Sequence, residues 1–182
     1  MERNFTLIVL FAALIAVLGL VPPLMLPTGV PVSAQSLGVM LAGAVLGSKR
    51  GALAVIVIVA VVALGLPVLS GGRGGLGVFA GPTVGFLLGW IPAAFVTGLV
   101  VEKMRNAPVG VAAGTGAVLG GIVVLYLCGT FGMMAVLHKG FGAALGLSLP
   151  FIPGDLIKAV VAGWLVTVIA RYRPSALLSR AE

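Results

Sequence analysis

Charged residues are scarce in this chain of 182 residues: 8% are Asp, Glu, Lys or Arg, whereas 60% are hydrophobic. Ordinary soluble domains carry roughly 25% charged residues, and a soluble fold of this length could not cover its surface with so few. The mean hydropathy of +1.27 points the same way. The composition therefore indicates one integral membrane domain, residues 1–182, with material for five or six spans of roughly 20 residues each.

Residues that support catalysis or metal binding are also few. The single Cys128 excludes a disulfide within the chain and is expected to be a small buried hydrophobe. The lone His138 has no companion ligand for a metal. The sequence has no Walker A motif, no Ser-His-Asp set with elbow glycines and no His-Glu zinc pattern. We expect no enzyme activity and no cofactor, so any uphill movement of a solute would take its energy from another chain.

Apolar segments separated by proline, glycine and polar turns predict six helices, and proline ends the first and third because it lacks an amide donor. The predicted helices cover residues 5–21, 33–46, 52–66, 82–101, 109–130 and about 153–171. Between them we expect a tight basic turn at 47–51, an irregular glycine loop at 70–75 and, at 132–149, a loop with a partial helix. A cleaved signal peptide is the alternative for the first segment, but its candidate site at 32–34 lies well beyond the apolar run.

The basic residues are unevenly distributed between the two sides of the predicted bundle. The net charge of +7 would indicate nucleic acid binding in a soluble protein, but the positive-inside rule explains it better here. One side would hold both termini and most of the basic residues, namely Arg3, Lys49, Arg50, Lys103, Arg105, Arg171, Arg173 and Arg180. Both termini are therefore expected in the cytoplasm, and the long, nearly uncharged loops outside. This asymmetry favours a site on the outer side.

Asp155 and Lys158 are charged residues at the start of the last apolar helix. They are three residues apart and share one helix face. Ionisable groups inside membrane helices are costly and usually mark a functional cavity. A structural ion pair is the alternative: it explains Asp155, which complements the helix dipole, but it explains Lys158 poorly, because a cation is unfavourable at a helix N-terminus.

Arg73 and a group of aromatic residues are further candidates on the same side. Arg73 is flanked by glycines, so its loop could bring a guanidinium and free backbone amides to a carboxylate; a solvated loop arginine is the alternative. Phe79, Phe86 and Tyr126 could line an apolar pocket with polar anchors, or they could belong to an interfacial aromatic belt. His138 and Lys139 are neighbours in the sequence and are expected to form a pair on the protein surface.

The run Pro-Phe-Ile-Pro-Gly-Asp-Leu-Ile-Lys at residues 150–158 resembles the segment that opens the last helix in biotin-specific substrate-binding subunits, or S-components, of energy-coupling-factor transporters. Supporting landmarks are similar in order and spacing, and the resemblance covers nearly the whole chain. The supporting landmarks are Val30-Pro31 with Gln35, Leu41-Ala42-Gly43 through Leu46-Gly47, Gly65-Leu66-Pro67-Val68, Gly81-Pro82-Thr83 and Gly85-Phe86.

The resemblance implies an all-α membrane fold of six helices, with outer loops over a pocket, in the plasma membrane of a prokaryote. It implies that biotin is the ligand and that the partners are a transmembrane coupling subunit and two ATP-binding-cassette ATPases. Small residues on the first helix, here Ala12 and Ala16, would contact the coupling subunit. Asp155 would accept hydrogen bonds from the ureido ring, Lys158 and Arg73 would pair with the carboxylate, and the aromatics would pack the sulfur-containing ring.

This chain departs from the family pattern in one respect, because members also use an asparagine near the pocket. The sequence has only Asn4 and Asn106, both on the expected cytoplasmic side. Three alternatives to biotin capture remain. They are an S-component for another small vitamin, a small membrane enzyme, and a structural or channel-forming oligomer that would tolerate loss of Asp155 and Lys158.

Overall fold

The computed structural model describes residues 2–22, 24–25 and 31–180, and most of these residues are helical. The α-helices are α1 Glu2–Gly19, α2 Gln35–Leu46, α3 Ser48–Ala63, α4 Val84–Lys103, α5 Val109–Val118, α6 Leu125–Leu137, α7 Phe141–Ser148 and α8 Ile152–Tyr172. Two-residue strands, β1 Leu24–Met25 and β2 Pro31–Val32, pair antiparallel after α1. Pro23, part of the predicted stop of the first helix, lies outside the described residues.

Four helical stretches among the described residues are long and apolar enough to cross a membrane. They are Glu2–Gly19, Val84–Lys103, Val109–Leu137 and Phe141–Tyr172. Gln35–Leu46 is apolar but shorter. The stretch Val109–Leu137 joins α5 to α6 through a π-helical segment, Leu119–Val124, so the chain continues as one helix through its glycines. Backbone groups in a bilayer need partners within the chain, and a helix supplies them.

The predicted basic turn at residues 47–51 is wrong, because α2 and α3 are joined by Gly47 alone. Gly47 has a φ of 87°, a left-handed conformation that glycine adopts without strain. The carboxylate of Glu102 accepts hydrogen bonds from the Ser48 amide at 2.7 Å and the Ser48 hydroxyl at 2.8 Å. This anion satisfies donors at the start of α3, so the helix begins earlier than predicted and contains Lys49 and Arg50.

The segment at residues 132–149 is more helical than predicted. Helix α6 continues to Leu137, His138 adopts a left-handed φ of 53°, and α7 follows from Phe141 to Ser148. No proline lies between Val109 and Leu137 to end the helix. The connection between α6 and α7 is therefore confined to residues 138–140.

Helix α2 lies at the centre of the bundle, where all of its residues except Leu37 are buried. It packs against α4 at close range: a Cβ at Gly43 would collide with the carbonyl oxygen of Ala94. The N-terminal end of α2 lies with the C-terminal end of α1 and the N-terminal end of α8, as the hydrogen bonds of Gln35 and Ser36 show. This end of the bundle holds the candidate site.

Candidate functional site

A cavity of about 100 Å³ lies at the end of the bundle where α2 and α8 begin. Its walls are mostly apolar and aromatic, which is typical of small-molecule sites. These wall residues are Leu69, Phe86, Leu87, Trp90, Leu125 and Phe151. Phe86 and Tyr126 meet edge to face, with ring centroids 6.3 Å apart, so two of the predicted aromatics share one wall.

Asp155 and Lys158 form a buried ion pair on the floor of this cavity. Lys158 Nζ lies 2.8 Å from Asp155 Oδ1, and the side chains are 16% and 7% exposed, respectively. The structural ion pair predicted from the sequence as one alternative is therefore present. Both of its members also line the cavity. A charge buried this deeply needs partners on every side to offset the loss of water.

The carboxylate of Asp155 is satisfied by three side chains from three helices. The Tyr126 hydroxyl donates to Oδ2 at 2.6 Å, and the Ser36 hydroxyl donates to Oδ1 at 3.1 Å. Lys158 supplies the third contact, at Oδ1. Residues on α2, α6 and α8 therefore converge on one carboxylate, which fixes its orientation toward the cavity.

The ammonium group of Lys158 has three acceptors, which matches its three hydrogens. Besides Asp155 it donates to the Ser33 carbonyl at 2.7 Å and to the Ser36 oxygen at 2.9 Å. These contacts explain how a cation persists near the N-terminus of α8, where the helix dipole disfavours it. All three ammonium hydrogens are therefore used, and Lys158 holds the Asp155 carboxylate in place beside the cavity.

Arg73 lies at the mouth of the cavity on a tight turn. Leu69 and Arg73 pair through backbone hydrogen bonds of 3.0 and 3.2 Å. Gly71 and Gly72 occupy the turn with φ values of 79° and 69°, which favour glycine. The Arg73 Nε donates to the Ser70 carbonyl at 3.1 Å. The guanidinium is exposed to solvent yet lines the cavity, so it can meet a ligand as it enters.

Sequence reasoning assigned no site role to Gln35, Ser36 or Ser70, although all three line the cavity. Ser36 bonds to both members of the ion pair. The Gln35 amide contacts the end of α1 and the loop before Arg73. The position of Gln35 immediately before an apolar run is the signal available in the sequence, but it equally fits a residue at a helix start.

Two predicted groups lie elsewhere. Phe79 packs against the hydrophobic core from the 3₁₀ turn Leu76–Ala80 and is not among the residues that line the cavity. Ala12 is 5% exposed and faces the interior of the bundle, while Ala16 is half-buried. Ala12 is therefore not accessible to a partner in this conformation, although its neighbour Ala13 is exposed.

These features define a class: a multi-pass membrane protein with a partly enclosed site for a small molecule, anchored by buried charges. No group of three metal-binding side chains occurs among the residues that the structure describes. The arrangement can bind an anionic or hydrogen-bonding ligand, because it offers both a fixed carboxylate and fixed cations.

The chain belongs to the BioY family, whose model matches residues 2–175. It is 61% identical to the biotin transporter BioY of Rhodobacter capsulatus, over 99% of this chain and 100% of that protein. It is 42% identical to the probable biotin transporter BioY of Bacillus subtilis, over 90% and 88% of the two chains. The crystal structure of the S-component for biotin from an ECF-type ABC transporter is similar, with a TM-score of 0.85, 29% identity and coverage of 93% and 92%.

Proposed function

We propose that this chain is the biotin-binding S-component of an ECF-type importer and that it captures biotin from outside the cell. The observation that carries the proposal is the buried Asp155, held by Tyr126, Ser36 and Lys158 at the floor of an apolar cavity. The names of the relatives and of the similar structure support biotin as the ligand.

The chemistry of biotin matches the two ends of the cavity. Its ureido ring offers two N–H donors, which a buried carboxylate such as Asp155 accepts well. Its carboxylate is anionic at neutral pH and would pair with Arg73 at the mouth, whereas Lys158, 2.8 Å from Asp155, would hold the Asp155 carboxylate at the other end. The apolar and aromatic walls would pack the rings and the aliphatic chain. Tyr126 and Phe86 contribute to this wall, whereas Phe79 packs against the core and does not line the cavity.

Competition binding distinguishes biotin from other small vitamins. Purified protein in detergent would be loaded with labelled biotin and challenged with unlabelled biotin, thiamine, riboflavin or biotin methyl ester. We expect displacement by biotin alone at low concentration, with the ester much weaker because its charge is removed. Displacement by thiamine or riboflavin at lower concentrations than biotin would assign the site to that vitamin.

Binding without chemistry is proposed rather than an enzymatic reaction, because the relatives are named as transporters. Bound biotin released by denaturation should have an unchanged mass. A mass change that required Asp155 would instead favour the small membrane enzyme.

We further propose six membrane spans with both termini in the cytoplasm of a prokaryote. The spans would be α1, α2, α3, α4, the continuous α5–α6 helix, and α7 with α8. The cavity would then open outward, beneath the loop that carries Arg73. The basic residues at the opposite end support this orientation through the positive-inside rule.

Uptake would require a transmembrane coupling subunit and two ATP-binding-cassette ATPases. We propose that the coupling subunit contacts the free face of α1, with Ala13 exposed on that face and Ala16 at its edge. The share of buried residues is 22% in α1 and 44% in α4, which leaves much of α1 available to a partner. Ala12 would take part only if α1 rotated.

A bulky substitution tests this surface in cells that contain the partner subunits. Ala13→Trp should abolish ATP-dependent biotin uptake and leave biotin binding by the purified subunit intact, because the indole blocks contact without reaching the cavity. Val160→Trp is the matched control, since Val160 on α8 is 72% exposed. Normal uptake by Ala13→Trp would exclude this face of α1.

A further inference from the structure

The Gln35 side chain joins α2 to α1 and to the outer loop, beside the cavity that it lines. Its Nε2 donates to the Ile15 carbonyl of α1 at 3.1 Å and to the Val68 carbonyl of the outer loop at 3.0 Å. Its Oε1 accepts from the Ser70 amide at 2.9 Å. Gln35 is 1% exposed, so water does not replace these contacts. The three bonds together are called the Gln35 bridge below.

The Gln35 bridge acts on the turn that carries Arg73. The Ser70 amide donates to Gln35, while the Ser70 carbonyl accepts from Arg73 Nε at 3.1 Å. The backbone of Ser70 therefore links the buried Gln35 side chain, through its N–H, to the Arg73 guanidinium at the mouth, through its carbonyl. Gln35 is also adjacent to Ser36, which contacts both members of the ion pair.

The same bridge brings the loop against the end of α1 without a gap. A Cβ at Gly19, the last residue of α1, would collide with the Val68 carbonyl and would lie 2.8 Å from Gln35 Nε2. The loop, α1 and α2 are thus packed around one amide. A movement of α1 relative to α2 would have to break or carry along the contacts that hold the Arg73 turn.

We propose that Gln35 is the positioning residue that holds the Leu69–Arg73 turn over the cavity and couples it to α1, so that the Gln35 bridge sets the rate of ligand release. This inference rests on the proposed function for the identity of the ligand. A neutral, buried side chain would then control how long the ligand stays bound, whereas Asp155 and Lys158 recognise the ligand.

Dissociation kinetics test the proposal with labelled biotin and the purified full-length protein, chased with unlabelled biotin. Gln35→Met keeps the size of the side chain and removes all three bonds. We expect release to accelerate by about tenfold or more, the change that a loss of about 1.4 kcal/mol produces, while association changes by less than about twofold. Thr97→Val is the matched control, because Thr97 is fully buried and bonds to the Gly116 carbonyl away from the cavity. It should lower thermal stability without changing release.

A double variant distinguishes positioning from a general loss of packing. If Gln35 acts through the turn, Gln35→Met combined with Arg73→Met should release biotin about as fast as the faster single variant. Multiplied effects, or an unchanged release rate in Gln35→Met, would overturn the proposal. If Gln35→Met does not fold, Gly19→Ala should accelerate release for the same reason, because its methyl group displaces the Val68 carbonyl.

Hydrogen exchange of the unliganded protein gives an answer that does not depend on biotin. Peptides that contain Ser70 should exchange faster in Gln35→Met than in wild type or Thr97→Val. Unchanged exchange would overturn the positioning role. Wild-type protein that binds no biotin but shows this difference would overturn the proposed ligand and leave the Gln35 bridge supported.

Discussion

The buried carboxylate of Asp155 is stable in this bundle because its oxygens accept hydrogen bonds from three helices. Burying an ion pair costs several kcal/mol per ion unless further hydrogen bonds compensate. Removal of one member leaves the other charge unpaired in an apolar setting. Ligand binding at such a site should therefore weaken when a partner of Asp155 loses one hydrogen-bonding atom. The same loss at a distant residue should leave binding unchanged.

Tyr126→Phe removes one of these partners and keeps the ring that packs against Phe86. The lost bond to Oδ2 is 2.6 Å long and reaches a charged group, and such bonds contribute about 1.5–3 kcal/mol. We expect biotin affinity to fall by roughly tenfold or more, measured by equilibrium binding. Tyr172→Phe is the control, because Tyr172 is 71% exposed. Equal affinities in wild type and Tyr126→Phe would show that the hydroxyl does not position Asp155.

Single residues of the site differed in how far the sequence could predict them. Asp155 and Lys158 were recognisable because charges are rare within apolar helices, and the structure brings both to the cavity. Gln35 and Ser36 were not assigned, because uncharged polar residues at a helix start are common for local reasons. Their partners lie far away in the chain, at Val68 and Asp155, and only the fold shows those distances.

At the scale of helices, glycine controls how closely neighbours approach. Gly98 on α4 lies directly against the α2–α3 connection, where an added Cβ would collide with the backbone of Gly47 and Ser48. This contact places Glu102, one turn further along α4, where it accepts from Ser48. Close backbone packing of this kind is a main source of helix association in membranes.

Gly98→Ala should therefore destabilise the bundle, because backbone atoms rather than a flexible side chain must move. We expect a cost of about 1–3 kcal/mol, typical of overpacking, observed as a lower thermal unfolding midpoint in detergent. Gly146→Ala is the matched control on α7, where nothing lies within 4 Å of the new Cβ. It should be neutral or slightly stabilising. Equal midpoints for the two variants would contradict this packing role.

Helix ends were harder to predict than helix positions. The early start of α3 depends on Glu102, a residue 54 positions away from Ser48, so no local pattern reveals it. The continuation of α6 to Leu137 runs through Gly129 and Gly132, which pack against Phe86 and Gly85, respectively. Glycine content indicated a loop from Gly132 onward by local propensity, but tertiary packing keeps Gly132 helical.

At the scale of the whole molecule, the charge asymmetry predicts which end faces the cytoplasm, and cysteine labelling can test it. In a Cys128→Ser background, Lys139→Cys should react with a membrane-impermeant maleimide in intact cells. Arg173→Cys should react only after the membrane is permeabilised. Both positions lie outside the long apolar helices or at their ends. The reverse pattern would invert the topology and place the cavity toward the cytoplasm.

The membrane character of the chain followed from its composition, and its family followed from residues 150–158 with the glycine and proline landmarks. The similar crystal structure confirms the S-component fold. The arrangement of loops over the cavity could not be read from the sequence, because it depends on contacts such as Leu69 with Arg73 and Gln35 with Ser70.

Equilibrium binding of labelled biotin to the purified protein tests the proposed function most directly, with wild type measured beside Asp155→Asn, Lys158→Ala and the control Glu102→Gln. Glu102 is a carboxylate at the opposite end of the bundle, where it bonds to Ser48. We expect saturable binding by wild type and Glu102→Gln, and a loss of roughly 100-fold or more in the two site variants, because each leaves a buried charge unpaired. Wild-type affinity in folded Asp155→Asn, or no binding by folded wild type, would contradict biotin capture at this site.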